Sequence, residues 1–280
     1  MINDSAPRRR AAVCGKPIRH SLSPVIHSAG FVAAGLLSWS YTAIECAAAE
    51  LPALVAGLGP EWAGLSLTMP LKEVALEVAD SASPAASAIG AANTLIRRDD
   101  GSWHADNTDI VGMIRVLRAA GVGSAPRFTV LGGGGTARAA LAAAAALGSP
   151  AATVVTRRPE AAAELSATAT ILGVELISVP WSRAPAAFDA HVIISAVPKG
   201  AADSLAADVS WWPETVLFDA VYDPWPTPLA AAAAEAGCTV VSGLDLLLAQ
   251  AVGQFEQFTG VRPAPEAAMR SALWAAAALR

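Results

Sequence analysis

Phe128-Thr129-Val130-Leu131-Gly132-Gly133-Gly134-Gly135-Thr136-Ala137 is the stretch that decides the fold of this 280-residue chain. Four apolar-to-neutral residues of strand length run into four glycines, and an alanine-rich helical run from Thr136 to Leu147 follows. Gly132, Gly134 and Ala137 fit G-x-G-x-x-[R/A] between a strand and a helix. Glycines permit the tight turn and let backbone N–H groups approach a pyrophosphate at the positive end of the helix. Gly132, Gly133, Gly134, Gly135, Thr136 and Ala137 are therefore candidate dinucleotide contacts; a glycine-rich turn without a ligand is the plain alternative.

Downstream the same pattern repeats. Thr153-Val154-Val155, Val192-Ile193-Ile194-Ser195, Val216-Leu217-Phe218-Asp219 and Thr239-Val240-Val241 read as strands, with a helix over Ala161 to Leu172. This is the alternation of a doubly wound, Rossmann-like nucleotide-binding domain. An NAD site places an acidic residue roughly 20 residues beyond the first glycine, on the ribose 2′-OH. Thr156-Arg157-Arg158 stands there instead. A carboxylate would repel a 2′-phosphate and a guanidinium binds it through charge-assisted contacts, so NADP is favoured over NAD.

Upstream, strands are expected over Ala11 to Cys14, Trp39 to Ile44 and Gly64 to Thr68. Helices are expected from Ser23-Pro24, over Ala48 to Gly57, and from Val74 to Val78. Asn93 to Ile96 and Trp103 to Ala105 form a hairpin about Asp99-Asp100-Gly101, and a helix runs from Ile110 to Ala120. The order implies an α/β unit with a mostly parallel sheet. Helices over Leu244 to Phe258 and Pro265 to Leu279 come after the nucleotide-binding domain is complete, and are expected to pack back on the first domain. The expected domains are 8–108 plus 244–280, and 109–243.

Lys72 is one of three lysines among 19 basic residues. Where a solvated charge suffices the chain uses arginine, so a lysine points to a role that arginine cannot fill. Arginine does not release its proton, whereas an ammonium can be tuned to do so, which makes Lys72 a candidate acid–base group. Ser21 and Ser23, in a turn before a helix N-terminus, form a candidate carboxylate site, with Ser23 as the helix cap. Thr68 flanks Pro70 on the other side from Lys72, Asn93 follows Gly90-Ala91-Ala92, and Asp109 opens a helix. Taken singly, Asn93 reads as a turn residue and Asp109 as a helix cap; beside Lys72, Asp109 is a carboxylate able to orient an ammonium.

A net charge of −5 argues against a general nucleic-acid or anionic-membrane binder. Three scattered cysteines and four histidines show no ligand spacing, so no metal is expected and a reducing cytoplasm is the expected location. No apolar run reaches the ~18 residues of a membrane span, Arg8-Arg9-Arg10 is not expected to open a leader, and residues 1–7 read as a loose tail.

Gly15-Lys16-Pro17-Ile18-Arg19-His20-Ser21-Leu22-Ser23-Pro24, Thr68-Met69-Pro70-Leu71-Lys72, Gly90-Ala91-Ala92-Asn93-Thr94 and Asn107-Thr108-Asp109 follow one another as in shikimate dehydrogenases. The Gly132–Gly135 loop, Tyr222-Asp223-Pro224 with Thr227-Pro228-Leu229, and Gly243 to Gln250 extend a resemblance that covers nearly the whole chain. It implies reversible reduction of 3-dehydroshikimate to shikimate with NADPH, by a monomer or homodimer. By motif, Ser21 and Ser23 with Tyr222 would hold the substrate carboxylate. Thr68, Asn93 and Gln250 would bind ring hydroxyls, Lys72 and Asp109 would be the catalytic pair, and Val197 and Gly243 would border the cofactor.

The chain departs from that pattern in places. Ser66 stands where the family usually has Asn, a change expected to weaken support of the turn. Thr156-Arg157-Arg158 replaces Asn-Arg-Thr, and Ser195-Ala196-Val197-Pro198 replaces a commoner Asn-Thr-Thr/Ala-Pro segment. Gln254 and Gln257 share a helix with Gln250, which leaves the substrate glutamine open by a turn. A quinate or aminoshikimate dehydrogenase of the same fold is the nearest alternative, and a non-catalytic NADP-binding sensor a more distant one.

Overall fold

The computed structural model describes residues 8–124 and 126–280, and the tail expected over residues 1–7 lies outside them. The chain divides into two units: one runs to Thr108 and resumes over Gln250–Arg280, and the other is Asp109–Ala249. Among the described residues no helix is long and apolar enough to cross a membrane.

The first unit contains β1 (Arg9–Gly15), α1 (Ser23–Ala33), β2 (Trp39–Glu45), α2 (Leu51–Ala56), β3 (Trp62–Leu67), α3 (Ala75–Val78), β4 (Ser81–Ala82), α4 (Pro84–Ile89), β5 (Thr94–Arg97) and β6 (Trp103–Asp106). The sheet order is β2-β1-β3-β5-β6-β4. β1 runs parallel to β2 and β3, and β4 parallel to β6, while β5 is antiparallel to both β3 and β6. The hairpin is the cause of the mixed pairing. A link of only Arg98 to Ser102, closed by the Gly101 N–H on the Arg98 carbonyl with Gly101 at φ +87°, is too short for a parallel crossover.

α4 and β4 were not expected. Yet α4 carries its own end signals: Ser83 caps it by accepting from the Ala86 N–H at 3.1 Å, Pro84 opens it, and Gly90 ends it at φ +63°.

The second unit takes in α5 (Thr108–Ala119), β7 (Phe128–Leu131), α6 (Gly135–Ala146), β8 (Ala151–Thr156), α7 (Pro159–Leu172), β9 (Glu175–Pro180), β10 (Val192–Ser195), β11 (Val216–Asp219), α8 (Pro228–Glu235) and β12 (Thr239–Ser242). All strands pair in parallel, in the order β12-β11-β10-β7-β8-β9. Counted from β7 as the first strand this is the 3-2-1-4-5-6 order of the Rossmann fold.

Alternate residues feed two cores. Val130, Val154, Ile194 and Phe218 pack with Met113, Leu117 and Leu141 on one face, and Leu131, Val155, Ile193 and Leu217 pack with Leu229 and Ala233 on the other. β9, an exposed edge strand, was not expected; none of its residues is buried and Ile177 and Ser178 are exposed in succession, so no inward-outward alternation marks it.

α9 (Gly243–Thr259) starts in the second unit, where Leu246 joins the core. α10 (Glu266–Ala277) completes the chain. A β-carbon at Gly30 of α1 would lie 2.9 Å from the Phe255 ring and 3.1 Å from Met269, so the C-terminal helices pack back on the first unit as expected.

Candidate active site

In the first unit the expected substrate residues gather at the C-terminal ends of β1 and β3 and before β5. Backbone bonds join the three loops: Lys16 N–H to the Met69 carbonyl at 3.0 Å, Thr68 N–H to Cys14 at 3.0 Å, Leu67 N–H to Asn93 at 2.7 Å, and Ala92 N–H to Lys72 at 2.7 Å. Thr68, Lys72 and Asn93 are thus tied to one end of the sheet through main chain. The Thr68 methyl lies directly against Gly15, where a β-carbon would collide with it.

The serine pair differs from the expected capping. Leu22, not Ser23, is the cap residue of α1, and Ser23 is the first helical residue. The Ser21 hydroxyl accepts from the Ser23 N–H at 3.3 Å, so Ser21 does the work assigned to Ser23. No acidic residue lies in the first turn, which leaves the positive helix end open to an anion.

Asn93 is buried, and its Oδ1 accepts from the Thr94 hydroxyl at 2.7 Å and the Thr108 N–H at 2.8 Å. α5 begins at Thr108, two residues before the expected start, because Asn93 satisfies that amide. Ser66 turns inward instead: it is buried, accepts from the Tyr41 hydroxyl at 2.6 Å and donates to Gln254 Oε1 at 2.7 Å.

Those contacts bear on the glutamines. The Gln254 amide is committed to Ser66, Asn93 and Thr94, and Gln257 Nε2 donates to Asp106 at 2.7 Å. Gln250, buried one helical turn before Gln254, lies on the same face of α9.

In the second unit the candidate cofactor residues lie at the C-terminal ends of the strands. At Gly132, φ is +114° and a β-carbon would lie 2.6 Å from the Ala196 carbonyl and 3.3 Å from Val197. The loops after β7 and β10 therefore touch at the switch point of the sheet, where ligands bind in this architecture. A β-carbon at Gly133 would lie 2.7 Å from that of Ala161 on α7. Gly134, the cap residue of α6, faces open space, and α6 has no acid in its first turn. Gly135, Thr136 and Ala137 form that turn, and Ala137 is fully buried. Open space above unpaired helix N–H groups is the cradle that a pyrophosphate fits.

Arg157 and Arg158 are exposed at the end of β8, while Thr156 is buried and donates to the Arg158 carbonyl at 3.1 Å. The Arg157 guanidinium lies 6.0 Å from the Trp181 ring centre, a neighbour that the sequence did not disclose because 24 residues separate the two. Tyr222 is half-buried after β11, its ring 3.3 Å from the β-carbon position of Gly243. Gly243 has no room for a side chain because the Ala220 carbonyl abuts it. Asp109 is buried in the first turn of α5, and Met113 and Leu117 anchor that helix in the core.

Asp219, missed in the sequence, ends β11 as a buried carboxylate that accepts from Thr227 at 2.6 Å and from the Val221 N–H at 3.1 Å. Burial pushes it above the ordinary carboxylate range, while these donors hold it partly back. The Cys14 thiol, buried and beside Cys46, is pushed up to about 12 and is no nucleophile.

Residues 13–95 match the family model described as shikimate dehydrogenase substrate binding domain, and residues 243–273 the shikimate 5'-dehydrogenase C-terminal domain. The chain is 40% identical over 266 residues to a protein of Caulobacter vibrioides named shikimate dehydrogenase (NADP(+)), covering 92% of each. Among solved structures it resembles shikimate dehydrogenase of Mycobacterium tuberculosis, with a TM-score of 0.87 and 47% identity over 95% of this chain and 99% of that one. It also resembles the Thermus thermophilus enzyme in complex with NADP(H) and shikimate, with a TM-score of 0.83 and 32% identity over 96% and 99%.

Proposed function

Because this chain belongs to the shikimate dehydrogenase family, we propose that it is an NADP-dependent oxidoreductase interconverting 3-dehydroshikimate and shikimate. The observation that carries this reading is likeness at full length to chains so named. The arginines at the end of β8 and the open helix end at Gly134 fit a 2′-phosphate and a pyrophosphate respectively.

The first unit is the substrate-binding domain in this reading and the second the NADP-binding domain. Ser21 and Ser23 with Tyr222 hold the substrate carboxylate, and Thr68, Asn93 and Gln250 take the ring hydroxyls. Gly132 to Ala137 seat the pyrophosphate, Thr156 to Arg158 hold the adenosine phosphate, and Val197 and Gly243 border the nicotinamide.

The bound dinucleotide supplies a hydride to the ketone carbon, or accepts one in reverse. Lys72 then stands beside the carbonyl oxygen, whose growing negative charge its ammonium stabilises and to which it delivers a proton. Asp109 orients that ammonium and favours its charged form until the transfer. Arginine in place of Lys72 would keep the charge and lose the proton transfer.

The test is turnover of purified protein with NADP⁺ and shikimate, followed at 340 nm, with quinate, aminoshikimate and NAD⁺ as parallel arms. Shikimate with NADP⁺ should give the highest kcat/KM, and Lys72→Ala should lower kcat by ~10²-fold or more while leaving NADPH binding intact. NADPH binding without turnover of any of the three substrates would overturn the enzyme reading.

A further inference from the structure

A chain of buried polar groups runs through the first unit behind Asn93. The Tyr41 hydroxyl meets Ser66 Oγ at 2.6 Å, Ser66 Oγ meets Gln254 Oε1 at 2.7 Å, and Gln254 Nε2 lies 3.0 Å from the Asn93 carbonyl and 3.1 Å from Thr94 Oγ1. Thr94 Oγ1 in turn lies 2.7 Å from Asn93 Oδ1. All five side chains are buried, Gln254 to 1% exposure.

Chemistry allows these bonds only one direction. The Asn93 carbonyl can only accept, so the Gln254 NH₂ must face it and Oε1 must face Ser66. Ser66 must then donate to Gln254 and accept from Tyr41. Thr94, accepting from Gln254, turns its own hydrogen to Asn93 Oδ1. The Thr108 N–H, which can only donate, reaches the same oxygen at 2.8 Å.

The Asn93 side chain therefore cannot flip: its oxygen is held by the Thr94 hydroxyl, the Thr108 N–H and, at 3.1 Å, the Thr108 hydroxyl. Its NH₂ sends a hydrogen to Thr108 Oγ1 at 3.0 Å. Gln254 itself is next in sequence to Phe255 and alongside the buried His27. A leucine would serve packing there without the cost of burying an amide.

We propose that Gln254, with Ser66 and Tyr41 behind it, is a positioning residue that fixes the orientation of the Asn93 amide toward a substrate hydroxyl. This rests on the reading of the chain as a shikimate dehydrogenase with Asn93 on the ring hydroxyls. Because the Asn93 contact is made alike in ground and transition states, loss of the relay shows in KM for shikimate rather than in kcat.

The experiment is a double-mutant cycle: Gln254→Leu and Asn93→Ala, singly and together, with Ser66→Ala as a milder break in the same relay. Steady-state KM for shikimate and for NADP⁺, kcat and thermal midpoint are measured for each variant. Gln254→Leu and Ser66→Ala should raise KM for shikimate about tenfold, with KM for NADP⁺ within about twofold. On the Asn93→Ala background the same changes should add less than about twofold, because the group they position is gone.

Effects that multiply independently of Asn93, or an unchanged shikimate KM with a lowered midpoint alone, overturn the inference and leave the enzyme reading standing. If Gln254→Leu does not fold, Ser66→Ala carries the same cycle. A wild-type protein that fails to turn over shikimate overturns the enzyme reading itself, and this inference with it.

Discussion

Arg157 projects from the end of β8 with Trp181 beneath its guanidinium, where NAD-binding chains carry an acid. One charge-assisted contact to a phosphate is worth about 1.5–3 kcal/mol, or roughly 10–100-fold in affinity. Arg157→Ala is therefore expected to raise KM for NADP⁺ by that factor and to leave KM for NAD⁺ within about twofold, as steady-state kinetics with both cofactors will show. At this scale the sequence disclosed residues whose chemistry is carried by type and near neighbours: Lys72 by its rarity, Arg157 by its place after a strand. Ser66, Gln254 and Trp181 were opaque, because their partners lie 25 or more residues away in the first two cases and 24 in the third.

At the scale of elements, the four glycines between β7 and α6 serve different ends. Gly133 lets α7 approach, since a β-carbon there would lie 2.7 Å from that of Ala161. Gly134 has extended backbone and open space, so a side chain there meets no protein atom. Gly133→Ala should cost about 1–3 kcal/mol of stability through overpacking. Gly134→Ala should leave the thermal midpoint unchanged yet weaken NADPH binding about tenfold, by occupying ligand space. Paired melting curves and fluorescence titrations of NADPH check both, and equal effects of the two substitutions would contradict this division. The loop itself was legible from its spacing. α4 is hard to read from sequence although Ser83-Pro84 and Gly90 mark its ends, because six residues carry too little periodicity to stand out.

For the whole molecule, His27 couples folding to pH. Its ring stacks on Tyr41 at 4.1 Å among Phe31, Phe255 and Phe258, and burial lowers its pKa to about 3 despite the nearby Gln254 amide. Neither ring nitrogen meets a hydrogen-bond partner among the described residues. In the unfolded chain the ring takes up a proton below its ordinary 6.5, while the fold refuses it down to about 3. The unfolded state binds more protons across that window, so stability falls as pH drops from about 6.5 to about 3, by up to ~1.4 kcal/mol per pH unit. His27→Phe should remove that part of the slope, as urea unfolding at pH 7, 5.5 and 4.5 will show. The raised Asp219, which acts in the opposite sense, and the lowered His104 are common to both proteins and cancel in the comparison.

Two α/β cores and the run of chemically marked loops between their strands are legible in the order of residues. Strand periodicity, glycine spacing and helix-end signals act over a few residues, and local physics suffices to read them. Only long-range packing makes β5 antiparallel to β3, gives the helix N–H to Ser21 rather than Ser23, and draws Gln254 into the core behind Asn93. Each of those outcomes depends on which distant group satisfies a buried donor or acceptor. That requirement is imposed only when the chain has closed on itself and excluded water.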